Sequence, residues 1–579
     1  MSGGKKRLTL VTGRRLTQGI ALESEGKFSE RYLRAAAVIE LNPKDAEEAG
    51  VKDRCRVTSS IGSVVLAVRT SDEIAPGTAF IPLGPWASAV VEHETECTGM
   101  PNLKATEITI EPTDEEVTKV EDVLRMFGFK HVDYRPQDRP LKTGEKKTVS
   151  NVVCTFCGDL CDFLTIELDG ERIVRNRGGC GISVAKFTNY HRHRVLKPMI
   201  RGDDGKFREV SLDEALDKAA EILAKAKFPL LYGWSSTSNE AMEIAVHLAE
   251  VTGGIIDNTA TICHGPTSLG AQEVGTARAT LGVIKHLADL VIFWGCNPAH
   301  AHPNHIARWV LAEGRHRKGR KDRKVVVVDI HRTGTARQAD LFIQVEPGRD
   351  YELATALRMA VKDMEIEAPQ VAGVPTEKII ELADMMRSAR YGVIFIGMGV
   401  TMTGAKFRTI EEVIKLAHDL NDWTRFVVIP MRGHYNVTGT NEVMLWNTGY
   451  PYAIQFMDGF PKMITGLSSA VDALVNEEVD AALIVASDPV AHFPRKAVEH
   501  LARIPIIAVD PKWSLTVAVA DVVIPAAMVG IEADGTAYRM DGVPLHAKKL
   551  VDPPEGVPTD VDVLKALLER VMKLKGLAE

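Results

Sequence analysis

Apolar positions follow two rhythms along the chain. Up to about residue 112 they fall in short strand-like runs, at 7–11, 36–41, 55–59 and 63–69, broken by Gly, Pro and Asn turns. That pattern predicts a small β-barrel. Charge and proline then take over, which predicts a linker over 113–150, with a helix over 115–126. Beyond residue 200 strands and helices alternate. Ser211-Leu212-Asp213-Glu214 reads as a capping box opening a helix over 212–225. Apolar runs at 290–294, 325–328, 393–396, 426–429, 482–485, 506–509 and 522–524 read as buried parallel strands. The runs 391–400 and 515–520 are too short to cross a bilayer, and their length also suits buried strands. No period of 20–50 residues marks a repeat array. The expected class is α/β with an N-terminal β-barrel.

Nearly every one of these strands ends in a loop of Gly, Asp, Asn or Pro. They are Gly295-Cys296-Asn297-Pro298, Asp329-Ile330-His331-Arg332, Gly397-Met398-Gly399, Pro430-Met431-Arg432-Gly433, Ser487-Asp488-Pro489 and Asp510-Pro511. In open α/β sheets, ligands sit at the carboxyl ends of strands.

Composition narrows the function classes. With 45% hydrophobic and 25% charged residues, the 579-residue chain is neither disordered, collagen-like nor membrane-embedded. Its net charge of -7 is evenly spread, which argues against nucleic acid or a membrane surface as partner. Eight cysteines in so long a chain are no disulfide framework, and the first residues lack an apolar targeting core, so a reducing cytoplasm is the expected compartment.

Half of those cysteines lie within 27 residues, Cys154, Cys157, Cys161 and Cys180, spaced C-x2-C-x3-C-x18-C. This three-plus-one spacing favours a [4Fe-4S] cluster over structural zinc, which usually draws on two C-x2-C pairs, and over unligated core thiols. Phe156, Leu160 and Phe163 would shield such a cluster, or simply pack. Cys55, Cys97 and Cys296 read as small hydrophobes. Cys263 differs: with His264 it precedes Gly265-Pro266, placing a thiol and an imidazole at a helix start, where anions are stabilised. The residues alone leave a ligand role and a packing role for Cys263 both open.

These features together resemble the molybdopterin oxidoreductases, and within them the B-type subunits of formylmethanofuran dehydrogenase over about 150–579. Residues 1 to about 130 resemble the D-type subunits of the same enzyme, a molybdopterin-dinucleotide-binding barrel. The resemblance there rests on Thr12-Gly13-Arg14 with Gln18-Gly19, Asn42 in Leu41–Ala46, Gly84-Pro85-Trp86 and Asn102 in Thr98–Asn102. The resemblance implies a barrel at 1–112, a linker at 113–150, a cluster segment at 151–200, and two α/β lobes, 201–262 with 430–579 and 263–429.

It further implies tungsten or molybdenum held by two molybdopterin guanine dinucleotides, a sulfido ligand and the Cys263 thiolate. His264 matches a proton-handling neighbour, Arg432 a substrate-anchoring arginine, and His434 is a weaker candidate. Asp329 matches an acid that accepts from a guanine edge, with Arg332 and Thr335 near its phosphates, and Asp488 and Asp510 at the equivalent strand ends. Thr12, Arg14, Gln18, Asn42, Gly84, Asn102, Gly295, Asn297, Gly397, Gly399 and Ser487 complete the implied dinucleotide contacts. One departure concerns a lysine often found two residues after the last cluster cysteine. Here Cys180 is followed by Gly181-Ile182-Ser183, with Lys186 as the candidate substitute.

The implied activity is reduction of CO2 to formate in methanogenesis. The implied partners are an amidohydrolase-type catalytic chain and the other chains of the complex, with iron–sulfur or heterodisulfide-reductase-like electron donors. A stand-alone formate dehydrogenase and a catalytically silent electron-transfer subunit are the alternatives. Whether the metal is tungsten or molybdenum stays open, since soft sulfur ligands accept either.

Overall fold

The computed structural model describes residues 4–578. Its first part is a closed six-stranded barrel in the order Lys6–Gly13, Thr78–Pro82, Val38–Leu41, Ser63–Thr70, Arg54–Thr58, Thr106–Pro112. Inward positions carry Leu8, Leu10, Ile39, Leu41, Val57, Leu66, Ile81, Ile108 and Ile110, all buried. The short alternating runs therefore meet around one core.

The helix that follows covers only Val120–Met126, not 115–126. Thr118 is held by the barrel instead: its N–H donates to Val65 O (3.0 Å), its hydroxyl accepts from Val65 N (2.9 Å), and its carbonyl accepts from Trp86 Nε1 (2.7 Å). Those bonds keep the chain extended until residue 119. Further on, Arg139 enters a buried group with Arg194 and Glu532. An antiparallel sheet of Lys146–Val152, Leu164–Asp169 and Arg172–Arg177 then leads into the helix Gly181–Thr188.

Two larger sheets form the rest. One has five parallel strands in the order Leu341–Gln344, Lys324–Asp329, Leu290–Trp294, Gly392–Ile396, Phe426–Pro430. The other has eight: Phe207–Glu209, Met199–Arg201, Val522–Pro525, Ile506–Asp510, Ala482–Val485, Leu230–Gly233, Ile255–Asn258, Ile454–Gln455. Among the parallel strands each sheet reverses its order once, beside Leu290–Trp294 in the first and between Ala482–Val485 and Leu230–Gly233 in the second. Such a switch leaves a crevice at the carboxyl ends of the strands.

Two local expectations change. The run at 515–520 is a helix, Leu515–Val519, because Ser514 caps it and Asp488 accepts from the N–H groups of Leu515 (3.1 Å) and Thr516 (2.8 Å). A carboxylate at two free helix donors outweighs the β-propensity of five residues. The helix Leu212–Lys225 has half a capping box: Ser211 Oγ accepts from Glu214 N (3.1 Å), but the Glu214 carboxylate accepts from Arg208 (2.7 Å) instead. Among the described residues no helix is long and apolar enough to cross a membrane.

Candidate functional site

A cavity of about 480 Å³ runs between the barrel, the cysteine segment and the switch-point loops of both sheets. Gly295, Asn297, Gly397 and Gly399 border it from the five-stranded sheet, and Ser236, Ser487, Asp488 and Asp510 from the eight-stranded one. Arg14, Gln18 and Gly84 close it from the barrel, Cys157 and Lys186 from the cysteine segment, and Cys263 and His434 from the middle.

Cys263 ends the 3-10 turn Thr259–Ile262, and His264 caps the helix Gly265–Val274. Asn258 nucleates the turn by accepting from Ala260 N (2.7 Å), and Thr401 Oγ1 donates to the Cys263 carbonyl (2.9 Å). The thiol is therefore fixed at the cavity wall. Burial pushes its pKa up, opposed by the Gly433 amide directed at the sulfur and by the charges of Arg432 and Arg14. A bound metal would reverse the balance, because it replaces the thiol proton.

His264 Nε2 lies 3.2 Å from the Met431 carbonyl, and Nδ1 lies 3.0 Å from Thr267 Oγ1. A carbonyl only accepts, so Nε2 carries the proton and Nδ1 faces the hydroxyl. Burial, then the Arg432 charge, holds the ring neutral with a pKa of about 3. Arg432 is buried, its pKa lowered to about 10 chiefly by burial; its Nε has no partner and its carbonyl accepts from His302 Nε2 (2.8 Å). Cys263, His264 and Arg432 thus form one electrostatically coupled group, although His264 and Arg432 stand behind the cavity surface.

The four cysteines of the 154–180 segment also lie together. Cys154 N donates to Cys161 O (2.9 Å), Leu160 turns back at φ 36° to reach Cys157 O, and Cys154 Sγ meets Ser183 Oγ at 3.3 Å. Asn304 Nδ2 approaches Cys161 Sγ (3.7 Å). Burial raises the thiols of Cys154, to about 11, and of Cys157 and Cys161, each reinforced by its neighbours' charge. Buried thiols that repel one another as thiolates suit a cationic centre. Among the described residues no three His, Cys, Asp or Glu side chains are grouped for a single metal ion. Lys186 Nζ donates to Thr155 O (2.7 Å), beside the cysteines and on the cavity wall.

The cavity fits a large, polar, anionic cofactor. Gln18 Oε1, His193 Nε2, His331 Nδ1, Thr403 Oγ1, Ser487 Oγ and His492 Nε2 are buried on its walls without partners. Such atoms are costly unless a ligand satisfies them. Lys27, Lys104, Lys186 and Lys512 line it, with Asp329, Asp350 and Asp510 nearby at pKa values of about 6, 7 and 7, all raised chiefly by burial.

Several named residues are placed elsewhere. Thr12 Oγ1 is spent on Leu103 O (2.8 Å), and Asn42 caps the helix Pro43–Ala49 while donating to Ile74 O (2.8 Å). Asn102 lies off the cavity lining, and Arg332 is exposed over the Phe342 ring. Thr335 Oγ1 donates to Asn297 Oδ1 (2.7 Å), so it fixes a cavity residue without lining the cavity. Asp488 accepts from Lys27 and from the Thr516 N–H and hydroxyl. Gly295, Gly397 and Gly399 serve each other: a Cβ on Gly397 would stand 2.3 Å from Gly295 O, and one on Gly399 2.6 Å from it. Lys27, Lys104, Lys512 and His492 join the site without having stood out in the sequence, because their only signal is three-dimensional, while His331 comes with the strand-end loop that holds Asp329.

The molybdopterin oxidoreductase family model matches residues 194–570, and the molydopterin dinucleotide binding domain model matches 8–108. The chain belongs to the molybdopterin oxidoreductases and, within them, to the B-type subunits of formylmethanofuran dehydrogenase, preceded by a barrel of the D kind. The B-type subunit of tungsten-containing formylmethanofuran dehydrogenase 2 from Methanocaldococcus jannaschii is 46% identical over 74% of this chain and 99% of its own length. Protein FwdD of the same organism is 41% identical over 20% of this chain and 91% of its own. Among solved structures, the formyltransferase/hydrolase complex FhcABCD of Methylorubrum extorquens contains a chain of like fold, with TM-score 0.54 and 24% identity over 66% of this chain and all of that one.

Proposed function

We propose that CO2 is reduced to formate on this chain, acting as the catalytic member of a formylmethanofuran dehydrogenase. It would hold tungsten or molybdenum on two molybdopterin guanine dinucleotides, completed by a sulfido ligand and the Cys263 thiolate, with a [4Fe-4S] cluster on Cys154, Cys157, Cys161 and Cys180. The observation that carries this reading is the Cys263 thiol at the cavity wall, aimed at by the Gly433 amide and flanked by Arg432 and Arg14.

When bound, the metal cofactor supplies a soft, sulfur-ligated two-electron centre. The chain supplies the surroundings. Arg14, Lys27, Lys104 and Lys512 meet phosphates, while Asp329 and Asp350 offer acceptors to a nucleobase edge. Gly433 N–H and the two arginines hold negative charge on the Cys263 sulfur. Arg432, unpaired at Nε and set just behind the cavity surface, would add positive charge that steadies the anion growing on the substrate oxygens as CO2 is reduced. His264, held neutral, keeps its Nε2 proton on Met431 O and its Nδ1 toward the Thr267 hydroxyl, which orients the ring beside Cys263. Reduction consumes two electrons and one proton per formate, the electrons arriving through the cysteine segment. Formate would then pass to a separate chain of the amidohydrolase type, the partner that the resemblance implies.

The test is the Cys263→Ala variant, assayed anaerobically for viologen-driven CO2 reduction and for bound tungsten and molybdenum. The reading expects activity to vanish and the metal to be lost or weakly held. Full activity with full metal would overturn it.

A further inference from the structure

The loop between two of the clustered cysteines carries an acid. In Cys157-Gly158-Asp159-Leu160-Cys161 the Asp159 side chain is buried against the five-stranded lobe. His305 Nδ1 donates to Asp159 Oδ1 (2.7 Å), and the His305 ring is itself fully buried. That ring stands edge-on to Phe395, with ring centres 4.7 Å apart, and lies 6.0 Å from Phe293, so two strands of the sheet fix its direction. Three residues earlier His302 Nε2 holds the Arg432 carbonyl (2.8 Å), and Asn304 Nδ2 donates to Gly178 O (2.9 Å). The stretch 302–305 therefore ties the cysteine segment to the arginine behind the cavity.

This pair is costly. Among the described residues no lysine or arginine bridges Asp159, its Oδ2 has no partner, and neither has His305 Nε2. An apolar pair would fill the same dry wall without leaving two polar atoms unsatisfied. The carboxylate also opposes negative charge on the sulfurs of Cys157 and Cys161 more than any other charged group does. The Asp159 backbone N–H acts the other way, directed at the Cys157 sulfur, and Lys186 favours negative charge on Cys154. A fold that needed only to pack this loop would have no use for the acid.

We propose that Asp159, held in place by His305, is a fixed negative charge that keeps the cluster on this segment strongly reducing. The inference rests on the reading of Cys154, Cys157, Cys161 and Cys180 as cluster ligands. An electron entering such a cluster meets the carboxylate's charge across dry protein, which disfavours the reduced form and lowers the potential. No bond forms or breaks; the cluster gains one electron and passes it on. Turning CO2 into formate demands such a relay, because a cluster that held its electron comfortably would not give it up. Asp159 acts on the relay and not on the substrate, and His305 is a positioning residue.

The test is an anaerobic redox titration of the full chain with its cofactors, following the electron paramagnetic resonance of the reduced cluster in wild type, Asp159→Asn and Asp159→Ser. Both substitutions keep the backbone N–H on Cys157 and remove the charge. With iron content unchanged, the reduced-to-oxidised ratio at a given potential should rise about tenfold or more, a midpoint raised by about 59 mV or more for one electron. CO2 reduction should slow while formate oxidation with viologen as acceptor is kept, since a less reducing cluster still accepts electrons. An unchanged or lower midpoint in variants that hold full iron would overturn the inference and leave the cluster reading standing. Loss of iron from both variants would overturn it too, because the carboxylate would then build the segment rather than set its potential. A wild-type chain without a four-iron cluster signal would overturn the cluster reading itself, and this inference with it.

Discussion

Glu532 is the centre of a buried ion group with two arginines. It is fully buried and accepts from Arg194 Nη1 (2.5 Å) and Nη2 (2.8 Å), from Arg139 Nη1 (2.7 Å) and from Met528 N (3.0 Å). Replacing it with Ala leaves two guanidiniums in a dry interior. Arg194 keeps the carbonyls of Pro511 (2.8 Å) and Ala526 (3.4 Å), and Arg139 keeps Glu171 (2.9 Å). Four charge-assisted bonds at about 1.5–3 kcal/mol each are lost, partly offset by those remaining partners, so the net cost is about 3–5 kcal/mol. For a cooperative unit of roughly 350 residues, with an unfolding entropy near 2.1 cal/mol/K per residue, 4 kcal/mol lowers Tm by about 5 °C. Because Arg139 belongs to the segment between barrel and cysteines, proteolysis there should rise in parallel. Differential scanning calorimetry with limited proteolysis reads both. The triple change Arg139→Met, Arg194→Met, Glu532→Leu should recover most of the loss, since no charge is then left unpaired. An E532A protein with wild-type Tm, or a triple variant no better than E532A, would refute the reasoning.

Other predictions concern the site. Gly399→Ala should spread the two switch-point loops, since its Cβ would lie 2.6 Å from Gly295 O and 2.7 Å from Gly295 Cα; the purified fold should persist with roughly half or less of the wild-type bound nucleotide. Arg432→Met should lose about 100-fold in CO2 reduction, because the positive charge behind the cavity wall is gone, and Arg432→Lys should recover part of that loss. His331, its pKa held at about 4 chiefly by burial and then by Lys104 and Arg15, is neutral when folded and protonates first when unfolded. It therefore stabilises the cofactor-free chain above pH 6.5, a contribution lost as pH falls toward 4. His331→Gln should flatten the dependence of urea midpoints on pH across that window, and an unchanged slope would contradict the burial argument.

What was legible in the sequence is what local chemistry encodes. A run such as Val325–Val328 has one way to be buried on both faces, and Cys154, Cys157 and Cys161 are close enough along the chain for their spacing to carry meaning. Cys263 and His264 stood out because they precede a Gly-Pro helix start. What was not legible is long-range. Lys27 meets Asp488 across 461 positions, and Lys104 reaches Asp329 from the barrel, so nothing around either lysine marks it. Asn42 and Thr12 sit in a stretch that resembles the D-type barrels, yet their side chains are spent on a helix cap and a backbone carbonyl. The glycines of the strand-end loops signalled close backbone approach, and the approach here is between the two loops themselves. The misread 515–520 run shows the same limit, since the carboxylate that turns it into a helix is Asp488, far away in sequence.

The central claim, that one chain carries both a [4Fe-4S] cluster and a tungsten or molybdenum centre bound through Cys263, is met most directly by metal analysis of anaerobically purified protein, wild type beside Cys263→Ser. The account predicts about four irons and about one tungsten or molybdenum per wild-type chain, with iron kept and the heavier metal lost or weakly held in the variant. Zinc alone in the wild type, or an unchanged tungsten or molybdenum content in Cys263→Ser together with full activity, would contradict it.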